Sequence, residues 1–309
     1  MTAAAQVVED AAAAAVVLRR GGIVAIPTET VYGLAALVRD RRAVQRVFEV
    51  KGRPLNHPLI VHVASVEEAR RWGRLDDRAT TLAEAYWPGP LTMVVPRTDD
   101  TPDWVTGGRD TVALRIPDHP LTLSLLEILD DALVAPSANR FGKVSPTTAD
   151  HVVADLGDDV ELVLDGGRCR IGVESTIVEI LDELQILRPG AVSGRQIGQT
   201  LEVAVSETSG SSRAPGMLKS HYAPAAQVIV CDSASDADDM IARERDAGRR
   251  TALLHYPDVD EYARQMYGFL RDADADGIQV VVAVKAPDDG LGAAINDRLH
   301  KAAASPEDI

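Results

Sequence analysis

Between Lys51 and His62 the chain reads Lys-Gly-Arg-Pro-Leu-Asn-His-Pro-Leu-Ile-Val-His, two fixed cations and two imidazoles with no carboxylate between Glu49 and Glu67. In a protein of formal charge -15, that is a local site for an anion. A Lys-x-Arg after a helix is also how a solvated, dipole-favoured helix C-terminus reads. Against that bland reading stand Gly52, Pro54 and Pro58, which fix an irregular path, and residues 59–63, which read as a buried strand able to hold the loop still. The strand's period of two puts Leu59, Val61 and Val63 on one face and Ile60 and His62 on the other. His62 is therefore either a satisfied core residue or a group aimed at a ligand.

Other polar groups gather where strands end. Pro27-Thr-Glu-Thr-Val-Tyr-Gly-Leu34 follows a short buried strand at 23–26, the position at which open α/β sheets place their ligands. Arg115 closes the strand Thr111-Val-Ala-Leu-Arg115 and shares a face with Thr111 and Ala113. A guanidinium in an apolar strand is costly unless it meets an anion, which leaves a structural salt bridge or some other anion as its partner. Pro136-Ser-Ala-Asn-Arg140 follows a strand at 133–135 and either caps the next turn or offers small polar groups to a ligand. Asp165-Gly-Gly-Arg168, Gly172-Val-Glu-Ser-Thr-Ile177 and Arg188-Pro-Gly190 each adjoin a strand, at 162–164, up to 181 and at 184–187. Too many strands end in glycine, serine or arginine for turn chemistry alone.

These groups need a scaffold. Residues 5–19 read as a first amphipathic helix ending at Gly21-Gly22. Residues 41–50 read as a second, with Val44, Val47 and Phe48 on one face, that delivers Lys51 to its loop. Further helices are expected at 66–72, 77–87 and 120–129, and Trp87-Pro-Gly-Pro90 breaks one of them before a strand at 91–95. From Ser206 to Ser212 the composition turns to Ser, Thr and Gly, a linker signature. Ala214-Pro-Gly-Met-Leu-Lys-Ser-His-Tyr-Ala-Pro224 carries anchors and is expected to lie on something. Beyond it, segments at 227–231, 236–247, 251–256, 261–272, 278–284 and 292–304 alternate as βαβαβα, a small parallel sheet with helices.

Composition narrows the class. With 309 residues and 46% apolar content the chain suits two globular domains. It shows no early basic cluster and no apolar run approaching the roughly 18 residues of a membrane span, so a soluble cytoplasmic protein is expected. Cys169 and Cys231 are too far apart in sequence to build a local CxxC pair or thiolate zinc site. Residues 1–210 carry 21 basic and 30 acidic groups, and residues 226–309 carry 9 and 17. Neither half offers the basic surface of a protein that grips nucleic acid through phosphates. A short positive loop focused in a cleft still admits small anions. There is no Walker lysine loop, no strand-to-helix GxGxxG and no HExxH.

Taken in order, Pro27–Leu34, Lys51-Gly-Arg-Pro54 with His57-Pro58-Leu59-Ile60-Val61-His62, Pro136-Ser-Ala-Asn139, Gly172–Ile177 and Arg188-Pro-Gly190 resemble the YrdC-like family of L-threonylcarbamoyl-AMP synthases. Ala214-Pro-Gly-Met217, Ser220-His-Tyr-Ala-Pro224 and Gly290-Leu-Gly-Ala-Ala-Ile-Asn-Asp-Arg-Leu299 are similar to the two-domain form. The resemblance implies a YrdC-like twisted open α/β sheet with helices over 1–205, a linker at 206–225 lying over the active site, and a smaller Rossmann-like βαβαβα domain over 226–309. It also implies a nucleotidyltransferase that condenses L-threonine, bicarbonate and ATP to threonylcarbamoyl-AMP and pyrophosphate. Mg²⁺ is then expected to accompany ATP without a protein cage.

By the same resemblance Lys51 and Arg53 are the catalytic cations, one meeting phosphate and the other the carbamate, with the assignment open. Thr30, His62, Arg115, Ala135 and Ser175 would surround threonine, Arg115 as a bidentate clamp on its carboxylate. His57, Thr111, Ser137, Asn139, Ser145 and Arg188 would line the ATP side, and Tyr222 would close over the nucleotide. The implied partners are the proteins that carry the threonylcarbamoyl group to the adenosine beside the tRNA anticodon, with weak or no direct tRNA binding and no membrane. Two other readings compete. A non-enzymatic RNA-binding module is opposed by the acidic charge and by 4% aromatic content. A nucleotide-dependent regulator would keep the pocket and use the C-terminal domain to face a partner.

Overall fold

The computed structural model describes residues 5–207 and 222–304. The chain begins with β1 (Gln6–Val8), α1 (Ala11–Arg19), β2 (Val24–Ile26), β3 (Gly33–Leu37), α2 (Arg41–Lys51), β4 (Ile60–His62), α3 (Val66–Trp72), α4 (Asp77–Tyr86), β5 (Leu91–Pro96), α5 (Asp103–Thr106) and β6 (Thr111–Arg115). It continues through α6 (Pro120–Leu129), β7 (Leu133–Val134), α7 (Ala149–Leu156), β8 (Leu162–Leu164), β9 (Thr176–Ile180), β10 (Leu184–Arg188), α8 (Gly194–Leu201) and β11 (Ser206–Glu207). A second unit comprises β12 (Gln227–Cys231), α9 (Ala234–Asp246), β13 (Thr251–Leu254), α10 (Val259–Ala275), β14 (Val280–Val284) and α11 (Leu291–Ala303).

The first unit is a mixed sheet in the order β1-β8-β2-β3-β7-β4-β6-β5-β9-β10-β11. The second is a parallel sheet in the order β12-β14-β13, so the expected α/β architecture with a small βαβαβα unit holds. On the large sheet α1 and α6 bury Ala14, Leu18, Leu125 and Leu126 against Val24, Ile26 and Leu133. Helices α2, α3 and α4 bury Val44, Val47, Phe48, Trp72 and Leu82 against Leu34, Val61 and Leu114. Val61 therefore faces the core, as the period of two requires, and His62 faces away from it.

Some local readings need correction. Residues 6–8 are a strand rather than the start of the first helix: β1 pairs in parallel with β8, and α1 begins only after Asp10, whose carboxylate accepts the Ala12 N–H at 2.8 Å. The open edge of β8 takes Val7 and Val8 before any helix forms. Strand β3, Gly-Leu-Ala-Ala-Leu, was hidden because both its faces are buried and it shows no alternation. Helix α8 carries a Ser193/Gln196 capping box, and α7 is capped by Thr148, whose hydroxyl accepts the His151 N–H.

The two units share a core. Val31, Val144 and Val173 of the first pack with Tyr222, ahead of β12, and with Tyr262, Met266, Tyr267 and Ile295 of the second. The small unit therefore sits on the loops that carry the polar motifs.

Candidate active site

Helix α2 aims the opening loop. Asp40 caps its start, accepting the Arg42 and Ala43 N–H groups at 3.0 Å, and Gly52 ends it in the left-handed region at φ 64°. Beyond its own chain neighbours, nothing lies within 4 Å of where a Gly52 Cβ would stand, so backbone conformation is what asks for glycine there. The next residue, Arg53, returns its N–H to the Phe48 carbonyl at 2.9 Å and turns its side chain inward.

The two cations of the loop do different things. Lys51 is buried, and its ammonium donates to the carbonyls of Ser137 and of Asn139, the latter at 2.6 Å. It thus ties α2 to the Pro136–Asn139 turn. Burial and then the Arg53 charge draw its pKa well below that of a free lysine. Arg53 instead stands in a cavity wall, donating through Nη2 to the Pro58 carbonyl at 3.1 Å, with Nε buried and without a hydrogen-bond partner. Burial brings it down to about 10. Its guanidinium lies 5.9 Å from the Phe141 ring, which His57 meets edge-on at 5.6 Å.

The cavity crosses the ends of several strands. Register pairs His62 on β4 with Arg115 on β6, and Ala135 follows directly after β7. Arg115 donates to the Thr30 hydroxyl at 3.0 Å and the Gly89 carbonyl at 3.1 Å. Its Nη2 lies 2.7 Å from Glu29 Oε1 in an ion pair without hydrogen-bond geometry. The arginine is therefore both a structural ion-pair partner and a cavity residue. Arg188, at the end of β10, donates to the carbonyl and hydroxyl of Ser175 at 3.0 and 3.1 Å. Burial first, then the Arg115 charge, lowers His62 to about 3, so the imidazole is neutral near pH 7.

Thr30, Arg53, His62, Arg115, Ala135, Ser137, Ser175, Arg188 and Tyr222 line this one cavity. The structure brings them together from segments spread over nearly 200 positions. Lys51 and Asn139 lie behind the wall: the Asn139 amide donates to the Arg140 and Lys143 carbonyls and its Oδ1 is buried without a partner. Ser145 donates to Glu174 at 2.6 Å rather than lining the cavity. His57 is half-buried beside Phe141, and Thr111 pairs with Pro96 at the far end of β6 from Arg115, so neither enters the wall.

Sequence reasoning missed Thr28, Val31, Gly33, Ile60, Pro136 and Glu174 in the lining. Glu174 had one available signal, a single carboxylate among small residues in Gly-Val-Glu-Ser-Thr. Burial opposes its ionised form, but the Arg298 and Arg188 charges and the Ser145 hydroxyl outweigh that and hold it at about 2. Tyr222 is buried at φ 63°, and Ala223 N–H bonds the Gly142 carbonyl at 2.9 Å. The remaining expected linker anchors, Ala214–Met217 and Ser220-His221, lie outside the described residues. No group of three or more His, Cys, Asp or Glu suited to a metal occurs among the described residues. No helix among them is long and apolar enough to cross a membrane.

Two family models divide the chain: one described as "Telomere recombination", for Sua5, YciO and YrdC proteins, matches residues 16–190, and one described as "Threonylcarbamoyl-AMP synthase, C-terminal domain" matches 183–304. The threonylcarbamoyl-AMP synthase of Pyrococcus abyssi is 39% identical over 92% of this chain and 91% of its own length. The chain belongs to the threonylcarbamoyl-AMP synthase family. It is the two-domain form of that family, an enzyme of nucleotidyltransferase type. The Bacillus subtilis synthase is 37% identical over 93% of this chain and 90% of its own. The crystal structure of P. abyssi Sua5 complexed with L-threonine superposes with a TM-score of 0.91 at 37% identity, covering 97% of this chain and 98% of that one. Escherichia coli YciO, at 20% identity and a TM-score of 0.53, covers 61% of this chain and 95% of its own and shares the fold of the first unit.

Proposed function

We propose that this synthase joins L-threonine, bicarbonate and ATP into L-threonylcarbamoyl-AMP, releasing pyrophosphate. The observation that carries the reading is the convergence of the Arg53, Arg115 and Arg188 guanidiniums on one cavity of an acidic chain, beside a neutral imidazole. The likeness to a P. abyssi protein captured with L-threonine supports the amino-acid half.

In this reaction the threonine amine forms an N–C bond to carbon dioxide or bicarbonate, giving a carbamate with release of a proton from carbon dioxide or of water from bicarbonate. A carbamate oxygen then bonds to the α-phosphorus as the bond to the bridging oxygen breaks and pyrophosphate leaves with the electron pair. The carbamate is itself the nucleophile, so positioning and charge stabilisation are what the protein supplies. Arg115, Thr30, His62, Ala135 and Ser175 would hold threonine, its carboxylate towards Arg115. Arg53 would meet phosphate and the charge that develops there, with Ser137, Arg188 and Tyr222 on the nucleotide side. Lys51 and Asn139 would act from behind by fixing the Pro136–Asn139 turn, and Ser145 through Glu174. His57 and Thr111 would contact the nucleotide only beyond this cavity.

Mg²⁺ would enter with ATP on phosphate oxygens and water. Both oxygens of Glu174, the carboxylate in the wall, already accept from Ser145, Tyr267 and Arg298. The product would pass in the cytoplasm to proteins that transfer the threonylcarbamoyl group to the adenosine beside the tRNA anticodon. A net charge of -15 suits an enzyme that hands on a small molecule and does not grip the RNA.

Purified protein is expected to release pyrophosphate from ATP only when L-threonine and bicarbonate are both present. Equal release without threonine would overturn the reading.

A further inference from the structure

Arg298 belongs to α11 of the small unit, yet it is 1% exposed and reaches into the wall of the large unit's cavity. Its Nε donates to Glu174 Oε2 at 2.9 Å, and its Nη2 donates to the Pro189 carbonyl at 3.0 Å. Those two acceptors are next in sequence to Ser175 and Arg188, a hydrogen-bonded pair in the cavity lining. The Arg298 guanidinium carbon lies over the Tyr222 ring, 5.4 Å from its centroid. Tyr267 of α10 adds a second donor to Glu174 Oε2 at 2.9 Å, and Ser145 takes Oε1. A cation from the C-terminal unit, which also pairs with Asp297 through Nη1, therefore joins Arg188 in compensating the carboxylate that lines the cavity.

Resting on the reading of this cavity as the place of ATP, we infer that Arg298 is a positioning residue of the synthetic site, one that neutralises Glu174 and registers the 174–175 and 188–189 segments against each other. Phosphate groups approaching Glu174 meet a compensated carboxylate. Without Arg298 they meet a buried carboxylate that has lost the first of its two cationic partners, which repels them more strongly and leaves the 174–175 and 188–189 segments without the donor they share. The C-terminal unit then contributes to substrate binding through one side chain without touching substrate.

An interface arginine that merely glued the two units would show a different pattern, and kinetics on the full-length enzyme separates the two. Arg298→Met is expected to raise KM for ATP at least tenfold, with a smaller change in kcat and at least threefold less effect on KM for threonine. Adding Glu174→Gln, an amide that needs no cation, is expected to restore ATP KM to within about threefold of Glu174→Gln alone. Arg298→Lys, which keeps the charge, should fall between wild type and Arg298→Met. Equal rises in both KM values, or an Arg298→Met defect that Glu174→Gln does not relieve, would overturn the inference. Should Arg298→Met fail to fold, Glu174→Gln compared with the double variant still decides, since a further tenfold rise in ATP KM on removing Arg298 from Glu174→Gln is the overturning result. Wild-type enzyme whose pyrophosphate release ignores threonine would count against the functional reading; threonine-dependent wild type with no such suppression counts against Arg298 alone.

Discussion

His62 and Arg115 are register partners on the adjacent parallel strands β4 and β6, so an imidazole and a guanidinium enter one cavity side by side. Burial first, and then the Arg115 charge beside it, disfavours the imidazolium.

A pH dependence follows with a defined sign. The unfolded chain protonates His62 near its ordinary value of 6.5, whereas the folded protein does so only at about 3, so the folded state loses stability as pH falls from 6.5 towards 3. Glu174, held at about 2 against an ordinary 4.5, contributes stability that is full above 4.5 and lost as pH falls through 2. Urea unfolding across this range should show a shallower slope below pH 6.5 in His62→Asn and below pH 4.5 in Glu174→Gln. An unchanged slope in either variant would contradict the assignment for that residue.

Arg115→Met should destabilise the protein by about 3 to 5 kcal/mol, since it leaves Glu29 buried with its charge uncompensated. Glu29→Gln in the same chain should recover a good part of the loss, because the amide carries no charge. Equilibrium denaturation of the single and double variants tests this, and additive losses would mean that the two residues do not act as a pair.

The two cations of the opening loop should separate cleanly. Arg53→Ala is expected to lower kcat/KM by at least the equivalent of about 2 kcal/mol with a smaller effect on stability, the scale of a lost charge-assisted donor. Lys51→Met should cost about 1 to 3 kcal/mol of stability, because two carbonyls of the Pro136–Asn139 turn lose their donor. Turnover near wild type for Arg53→Ala would make the loop a structural feature.

Gly190 stands against the start of β9, where an added Cβ would come 2.2 Å from the Thr176 nitrogen. Backbone cannot yield there without parting β10 from β9 and moving Arg188 away from Ser175. Gly190→Ala should therefore lower the melting temperature and raise substrate KM together, read by a thermal scan and steady-state kinetics. Wild-type values for both would show that the two strands can separate freely.

Much of the scaffold was legible because its signals are local. Val44, Val47 and Phe48 on one face of α2, Gly52 after it, and the alternation through Leu59–Val63 are near-neighbour preferences, and they placed Arg53 and His62 correctly on loop and strand. Strand β3 was not legible, since a strand buried on both faces carries no period. Nor was the division of labour between Lys51 and Arg53, because the carbonyls that claim Lys51 lie 86 and 88 positions away.

The sequence by itself determined the α/β alternation, the small parallel unit and the set of polar motifs at strand ends. These follow from periodicity, capping and turn chemistry, whose energies are settled within a few residues. The tertiary structure decided which of those polar groups share a cavity and what charge each carries there. Glu29 found Arg115 across 86 positions and Glu174 found Arg298 across 124. The reason is that a charge becomes expensive only once burial removes water from around it, and a fold alone specifies which distant ion must then lie beside it.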